Sequence, residues 1–177
     1  MRLAGHWRNI WLAAIAVAGS AAAYLITSSP RPPTVDEYLA HQGLDRSALI
    51  GTQITIGGRE ESCGDRPIIH DPTLTDVAAA HPGYLIFNPK RVASLPAVVQ
   101  LYAFGHECGH QIEGRSEEKA DCYAIRLGRA EGWLDPAGIE AICDFWKPYA
   151  GDSVHLPGKA RCDLMKRCYA EAASSGG

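Results

Sequence analysis

The chain has 177 residues, of which 46% are hydrophobic, and it carries seven histidines, six cysteines and a formal net charge of -3. This length and apolar content fit one globular domain and exclude a chain that is disordered throughout. The 17 Lys and Arg residues are outnumbered by 20 Asp and Glu residues, so no basic excess is left to neutralise phosphates. We therefore expect no nucleic-acid partner.

The first 33 residues are typical of an export segment rather than of a folded domain. Arg2 and Arg8 precede an apolar stretch over residues 10–27, and a proline-rich linker follows it. Eighteen helical residues span about 27 Å, close to the thickness of a membrane's hydrocarbon core. We expect an anchor that leaves residues 34–177 outside the cytoplasm, in the periplasm or the extracellular space. Cleavage near the small residues 21–23 would instead release a secreted domain.

Export would place the six cysteines in an oxidising compartment, where disulfides are the default. No Cys-x-x-Cys pair occurs in the sequence, which argues against a zinc ribbon and against a thioredoxin-type redox motif. The cysteines are Cys63, Cys108, Cys122, Cys143, Cys162 and Cys168.

The part of the chain before residue 94 predicts one helix and a short sheet. Thr34 begins a helix that extends to Ser47, and Glu37 stands three residues after Thr34 in the capping-box pattern. The remaining expectations are a half-buried strand over Leu49–Ile56, a loop over Cys63–Pro72, a short helix or strand over Thr73–Ala80 and a strand over Tyr84–Phe87.

The next helix, capped by Ser94, carries the pattern H-E-x-x-H at residues 106–110. His106 and His110 are four residues apart, so both imidazoles lie on one helix face and can coordinate a single divalent ion, for which zinc is the expected choice. Glu107 flanks the ion, where it can take a proton from a metal-bound water. We expect Glu107 to be the general base.

A catalytic zinc ion needs a third protein ligand and an open position. Gly114 predicts the end of the first helix, and Ser116 is a good N-cap for a second helix over about Glu117–Glu131. The two helices would form an antiparallel hairpin that returns Glu117 to the histidines as the third ligand. Asp121 lies one turn later on the same face, and we expect it to hold a ligand imidazole.

Two other carboxylates lie close to the motif. Glu118 is rotated by about 100° from Glu117 around the helix, so we expect its carboxylate to lie in solvent rather than at the metal. Glu113 ends the first helix three residues after His110 and stays an alternative ligand.

The pattern H-E-x-x-H at 106–110 followed by E-x-x-A-D at 117–121 resembles the gluzincin metallopeptidases, the group that contains thermolysin and the membrane-associated CAAX-protease type. The E-x-x-A-D form is similar to the latter, with a shorter spacer before the third ligand than gluzincins usually have. The resemblance implies a zinc-dependent endopeptidase with a zincin-like fold, two histidine ligands and Glu117 as the third. It also implies that a strand such as Tyr84–Phe87 guides an extended substrate.

Hydrolysis of a peptide also needs a donor for the oxyanion that forms on the scissile carbonyl. No spacing in the sequence selects one. The candidates are His155, Tyr149, Tyr123 and Arg126.

The predicted hairpin places two cysteines at equal distances from its turn. Cys108 and Cys122 each lie seven residues from position 115, so a disulfide could tie the two ligand-bearing helices together. Two packed free thiols are the alternative. If the bond forms, the other four cysteines would make two more bridges that pin the C-terminal segment.

Two further helices are expected, over Pro136–Phe145 after Asp135 as N-cap and over Lys159–Ala173. The sequence therefore predicts a small, mainly helical α+β domain with a short sheet and a zinc site on a helical hairpin. We expect a zinc-dependent endopeptidase that acts on a protein or peptide outside the cytoplasm. The alternative is a non-enzymatic envelope module, for binding or structure, in which the same ligands hold a structural zinc ion and Glu107 is incidental.

Overall fold

The computed structural model describes residues 31–174. The apolar stretch that we expect to act as an anchor or signal lies outside the described residues. Among residues 31–174, no helix combines the length and the apolar character that a membrane span requires.

The described residues form a mixed α/β unit in which helices predominate, as expected for an α+β domain. The helices are α1 (Val35–Gln42), α2 (Pro89–Ala93), α3 (Ala97–Glu113), α4 (Glu117–Ala130), α5 (Pro136–Trp146) and α6 (Gly158–Ser174), with a short 3-10 helix over Arg46–Ala48. The strands are β1 (Leu49–Gly51), β2 (Gln53–Ile56), β3 (Arg59–Ser62), β4 (Ile68–His70), β5 (Ala78–His81) and β6 (Tyr84–Phe87).

The main sheet has four strands in the order β1-β4-β6-β5, and β2 pairs with β3 in a separate hairpin. Strand β6 runs parallel to β4 and antiparallel to β5, and all four of its residues are buried. Apolar side chains of the sheet and of the β2–β3 hairpin pack against α3, while a second core cluster lies among α3, α4, α5 and α6.

One strand prediction was correct only in part, and one loop prediction was wrong. The expected strand over Leu49–Ile56 is divided between β1 and β2, because Gly51 has a φ of 103° that interrupts the extended backbone. The expected loop over Cys63–Pro72 contains β4, which pairs with both β1 and β6. Ile68 and Ile69 are both fully buried, so β4 lacks the alternation of polar and apolar residues by which a strand is recognised.

Some helix ends agree with the local sequence, and others depart from the prediction. Thr34 and Glu37 form the predicted capping box, although α1 ends earlier than expected, at Gly43 in the left-handed conformation. Ser94 does not begin α3, because it closes the short helix α2 and donates a hydrogen bond to the carbonyl of Arg91. Pro96 takes the N-cap position of α3 instead.

The three disulfides of the described chain are Cys63–Cys108, Cys122–Cys168 and Cys143–Cys162. The expected Cys108–Cys122 bond was therefore wrong. Cys108 packs in the cluster beside the sheet, whereas Cys122 packs in the cluster of the C-terminal helices. The two side chains leave the hairpin on different sides, so an equal distance from the turn does not bring them together.

A buried carboxylate joins α1 to the sheet. Asp71, which is 1% exposed, accepts hydrogen bonds from the Tyr38 hydroxyl at 2.6 Å and from the backbone and hydroxyl of Thr73 at 2.7 and 2.6 Å. Burial alone would raise the pKa of this carboxyl, but the hydrogen bonds from Thr73 and Tyr38 outweigh burial and hold the pKa below its usual value.

We expect Asp71→Ala to lower the free energy of unfolding by about 1–3 kcal/mol at neutral pH, because buried donors lose their acceptor. The folded pKa is depressed, so the contribution is complete above the unfolded pKa of about 4 and is lost as the pH falls through the lower folded value. Denaturant titrations from about pH 7 to about pH 2 should show the difference shrinking. Asp65→Ala is the matched control, because that carboxylate is 90% exposed. A pH-independent difference would contradict this role.

Candidate metal centre

Helices α3 and α4 approach closely because small residues face one another. A Cβ atom at Gly105 would lie 3.1 Å from the Cα and Cβ of Ala124, and one at Gly109 would lie 2.9 Å from the Cα of Ala120. The distance between the axes of two packed helices depends on the side chains at their contact. Because glycine faces alanine here, the axes of α3 and α4 can lie close together. The first turn of α4 therefore lies directly beside the histidines of α3.

This packing gathers the three predicted ligands. Nε2 of His106 lies 3.1 Å from Nε2 of His110 and 3.1 Å from Oε2 of Glu117. Nε2 of His110 lies 3.5 Å from Oε1 of Glu117. The three side chains form a group that could hold a metal ion.

The spacing fits a small divalent ion bound tetrahedrally. Bonds of about 2.0–2.1 Å would place neighbouring ligand atoms about 3.3 Å apart. Oε2 of Glu117 is also a buried oxygen that receives no well-directed hydrogen bond, even though two imidazole nitrogens lie near it. A bound cation would satisfy this oxygen, since buried polar atoms need a partner.

Both imidazoles are oriented through their Nδ1 atoms. Nδ1 of His110 lies 2.8 Å from the carbonyl oxygen of Gly114, where the helix ends. Nδ1 of His106 lies 2.8 Å from Oδ1 of Asp121, the contact expected from the sequence. Because both oxygens accept, each Nδ1 donates, and each Nε2 is left to face the ligand group.

Asp121 is itself held by two residues that sequence analysis did not identify. Arg161 donates to both carboxylate oxygens at 2.8 and 2.7 Å, and the Tyr102 hydroxyl donates to Oδ1. Burial raises the pKa of Asp121, but the hydrogen bonds from His106 and Arg161 outweigh it and lower the pKa to about 2. The carboxylate is therefore ionised and acts only as an acceptor.

Arg161 is 3% exposed although it carries a full charge. Its guanidinium lies 3.8 Å from the ring centroid of Trp146 and forms a bidentate pair with Asp121. Forty residues separate Arg161 from Asp121, and no motif or spacing connects them. Only the three-dimensional packing of α6 against α4 reveals this pair.

Glu107 borders a cavity of about 260 Å³ beside the ligand group. Burial raises the pKa of its carboxyl, and the nearby His106 and His110 partly oppose that rise. The cavity is lined by Asp76, Val77, Ala78, Leu95, Val99, Tyr102, Ala103, His106, Glu107, Phe145, Trp146, Tyr149, His155 and Arg161.

Two of the four oxyanion-donor candidates lie at this cavity. Nε2 of His155 is 3.2 Å from Oε2 of Glu117, and Nδ1 of His155 is 2.9 Å from Asp152. Tyr149 also lines the cavity, and its hydroxyl donates to the same Asp152 carboxylate.

The other two oxyanion candidates lie elsewhere. Tyr123 packs in the cluster beside the sheet, and Arg126 pairs with Glu171 at 3.7 Å. The alternative ligands Glu113 and Glu118 are exposed and stand outside the ligand group.

The strand that borders the site is β5 rather than β6. Strand β6 is paired with β4 on one side and with β5 on the other, so it has no free edge to guide a substrate. The expectation for Tyr84–Phe87 was wrong for this reason. Strand β5 ends the sheet, and Ala78 of β5 lines the cavity together with Val77.

Comparisons with known proteins found no match: no protein-family model, no curated protein and no solved structure matches the chain. The likeness to gluzincins rests on the motif residues themselves.

We expect Gly109→Ala to weaken metal binding by about tenfold or more. Alanine favours a helix over glycine by about 1 kcal/mol, but the new Cβ would meet the backbone of Ala120 and push Glu117 away from the histidines. Titration of the full-length protein with Zn²⁺ measures the change.

Gly138→Ala in α5 is the control for this substitution, because its nearest neighbours are side-chain atoms rather than the backbone of another helix. Equal zinc affinity for Gly109→Ala and the wild type would show that the close helix contact does not set the ligand geometry.

Proposed function

We propose that this protein is a zinc-dependent endopeptidase that acts outside the cytoplasm. The observation that carries the proposal is the convergence of His106, His110 and Glu117 beside a cavity that His106 and Glu107 both line. The gluzincin-like motif supports it, because the residues that would bind the ion and the residue that would act as base are the ones the motif contains.

Zinc is the ion that the donor set favours. Two imidazoles and one carboxylate match the three-ligand sets of catalytic zinc sites, whereas structural zinc sites have four ligands and are rich in cysteine. All six cysteines of this chain are bonded in pairs, so none remains as a thiolate ligand.

Zinc bound at this group would supply a Lewis acid that polarises a carbonyl and acidifies a water molecule. Glu107, at the cavity wall, takes the proton of the attacking water and passes it to the leaving amine. His155, held at Nδ1 by Asp152, faces the same space, and as an imidazolium, with a proton on each ring nitrogen, it would donate a hydrogen bond from Nε2 to the oxyanion. Asp121 keeps His106 oriented throughout.

A peptide in extended form suits the edge of the sheet. Among residues 31–174, strand β5 is paired on one edge only, and an extended segment can add to such an open edge through backbone hydrogen bonds. Ala78 of β5 and Glu107 border the same cavity, so a segment lying along β5 would pass the base.

The proposed location follows from the cysteines and the N-terminal sequence. Three disulfides are compatible with an oxidising compartment such as the periplasm or the extracellular space. The apolar stretch over residues 10–27 would attach the protein to the membrane, or would be removed to release it.

We expect Glu107→Gln to lower kcat/KM for peptide hydrolysis by about 10²-fold or more with bound zinc unchanged, because glutamine preserves the shape of the side chain but cannot take the proton. Hydrolysis of a mixed peptide library, followed by mass spectrometry, together with elemental analysis of the same samples, measures both quantities.

Glu113→Gln is the matched control, since Glu113 is exposed on the same helix. A Glu107→Gln protein as active as the wild type would refute Glu107 as the base. Zinc binding without hydrolysis by the wild type would favour a zinc-stabilised envelope module instead.

A further inference from the structure

We propose that His155 is a fourth protein ligand of the metal ion in the resting protein, where it closes the position that a substrate carbonyl must take. The inference rests on the proposed function and concerns how that same site is regulated. Nε2 of His155 lies 3.2 Å from Oε2 of Glu117, and Nε2 of His106 lies 3.1 Å from the same oxygen. His155 therefore approaches the carboxylate ligand as closely as a ligand imidazole does.

The orientation of the His155 ring matches that of the ligand imidazoles. Nδ1 of His155 lies 2.9 and 3.1 Å from the two carboxylate oxygens of Asp152. An ionised carboxylate only accepts, so Nδ1 donates, and in the neutral ring the lone pair of Nε2 faces Glu117. Imidazoles that bind metals almost always donate their other N–H to a carboxylate, a carbonyl or water. His106 has the same kind of contact with Asp121.

The contact between His155 and Glu117 is not a hydrogen bond. Oε2 of Glu117 is buried and has no hydrogen-bond partner among the described residues, although Nε2 of His155 lies 3.2 Å away. A nitrogen lone pair and a carboxylate oxygen repel each other at this distance unless a cation lies between them. Two ligand atoms of one tetrahedral zinc ion lie about 3.3 Å apart, which is close to the observed separation.

The segment that carries His155 is braced beside the site. It joins α5 to α6 over residues 147–157, and the disulfide between Cys143 and Cys162 connects the two helices. The carboxylate of Asp152 accepts from the backbone N–H of His155 at 2.8 Å, and the backbone N–H of Asp152 donates to the carbonyl of His155 at 3.1 Å. One aspartate therefore shapes the turn and orients the imidazole.

The position of His155 suits a ligand that can also leave. The ligand atoms of His106, His110 and Glu117 lie within 4.8 Å of one another, and His155 borders this group at Glu117 with a side chain that is 34% exposed. When a substrate carbonyl takes the fourth position, His155 gives up its bond to the ion and accepts a proton from solvent at Nε2. The imidazolium then donates to the oxyanion, as described above.

The first test counts the ligands of the ion. X-ray absorption spectra of the full-length, zinc-loaded protein distinguish imidazole ligands from oxygen ligands. We expect three imidazoles for each zinc ion in the wild type and two in His155→Ala. His41→Ala is the matched control, because it removes an exposed histidine of α1 and should leave three imidazoles at the ion.

Zinc affinity separates a bond to the ion from a hydrogen bond to Glu117. We expect His155→Ala and His155→Gln both to weaken zinc binding by about tenfold or more, because neither side chain replaces the imidazole. The glutamine amide can still donate to Oε2 of Glu117. Wild-type affinity in His155→Gln would therefore assign His155 a hydrogen bond alone.

Added imidazole measures whether the fourth position is closed. Co²⁺ loaded in place of zinc reports a new ligand through its visible absorption spectrum. We expect imidazole to change the spectrum of His155→Ala at a concentration about tenfold or more below that needed for the wild type, because His155 competes for the same position.

Two imidazoles for each zinc ion in the wild type, wild-type affinity in His155→Gln, or an equal response of wild type and His155→Ala to imidazole would overturn the inference. Peptide hydrolysis by the wild type would in that case leave the peptidase proposal standing. Three imidazoles in the wild type without peptide hydrolysis would support the fourth ligand and reject the peptidase function. A wild type that binds no zinc would overturn both.

Discussion

The close contact between α3 and α4 is the constraint on which the candidate site depends. Gly105 and Gly109 on one helix meet Ala124 and Ala120 on the other, and a Cβ atom at either glycine would lie within about 3 Å of the opposing helix. Glycine inside a helix is unfavourable by about 1 kcal/mol relative to alanine. Here that cost allows two helices to approach closely enough for a carboxylate of α4 to join two imidazoles of α3.

The surrounding structure holds that contact in place. The bidentate pair between Asp121 and Arg161 fixes the orientation of His106 and connects α4 to α6. Removing one partner of such a buried pair costs about 3–5 kcal/mol, so the site and the packing of α6 depend on each other. Each disulfide also has one cysteine directly after a residue of the site: Cys108 after Glu107, Cys122 after Asp121 and Cys162 after Arg161.

The sequence predicted those features that depend on local spacing. The helical hairpin of α3 and α4, the turn at Gly114, the grouping of the two histidines with Glu117 and the contact between Asp121 and His106 all follow from helix periodicity and from the residues of the turn. Contacts between distant segments were missed. Arg161 reaches Asp121 across forty residues.

Strand β4 is recognisable mainly through its pairing with both neighbours. The Cys108–Cys122 prediction was wrong because distance along a hairpin does not specify the direction in which a side chain points.

The content of bound metal tests the central claim most directly. Elemental analysis of full-length wild type, Glu117→Ala and Glu118→Ala after identical zinc loading compares a ligand with its exposed neighbour. The three-ligand site predicts close to one zinc ion per chain in the wild type and in Glu118→Ala, and a sharp loss in Glu117→Ala. No zinc in the wild type, or equal zinc in all three proteins, would contradict the site.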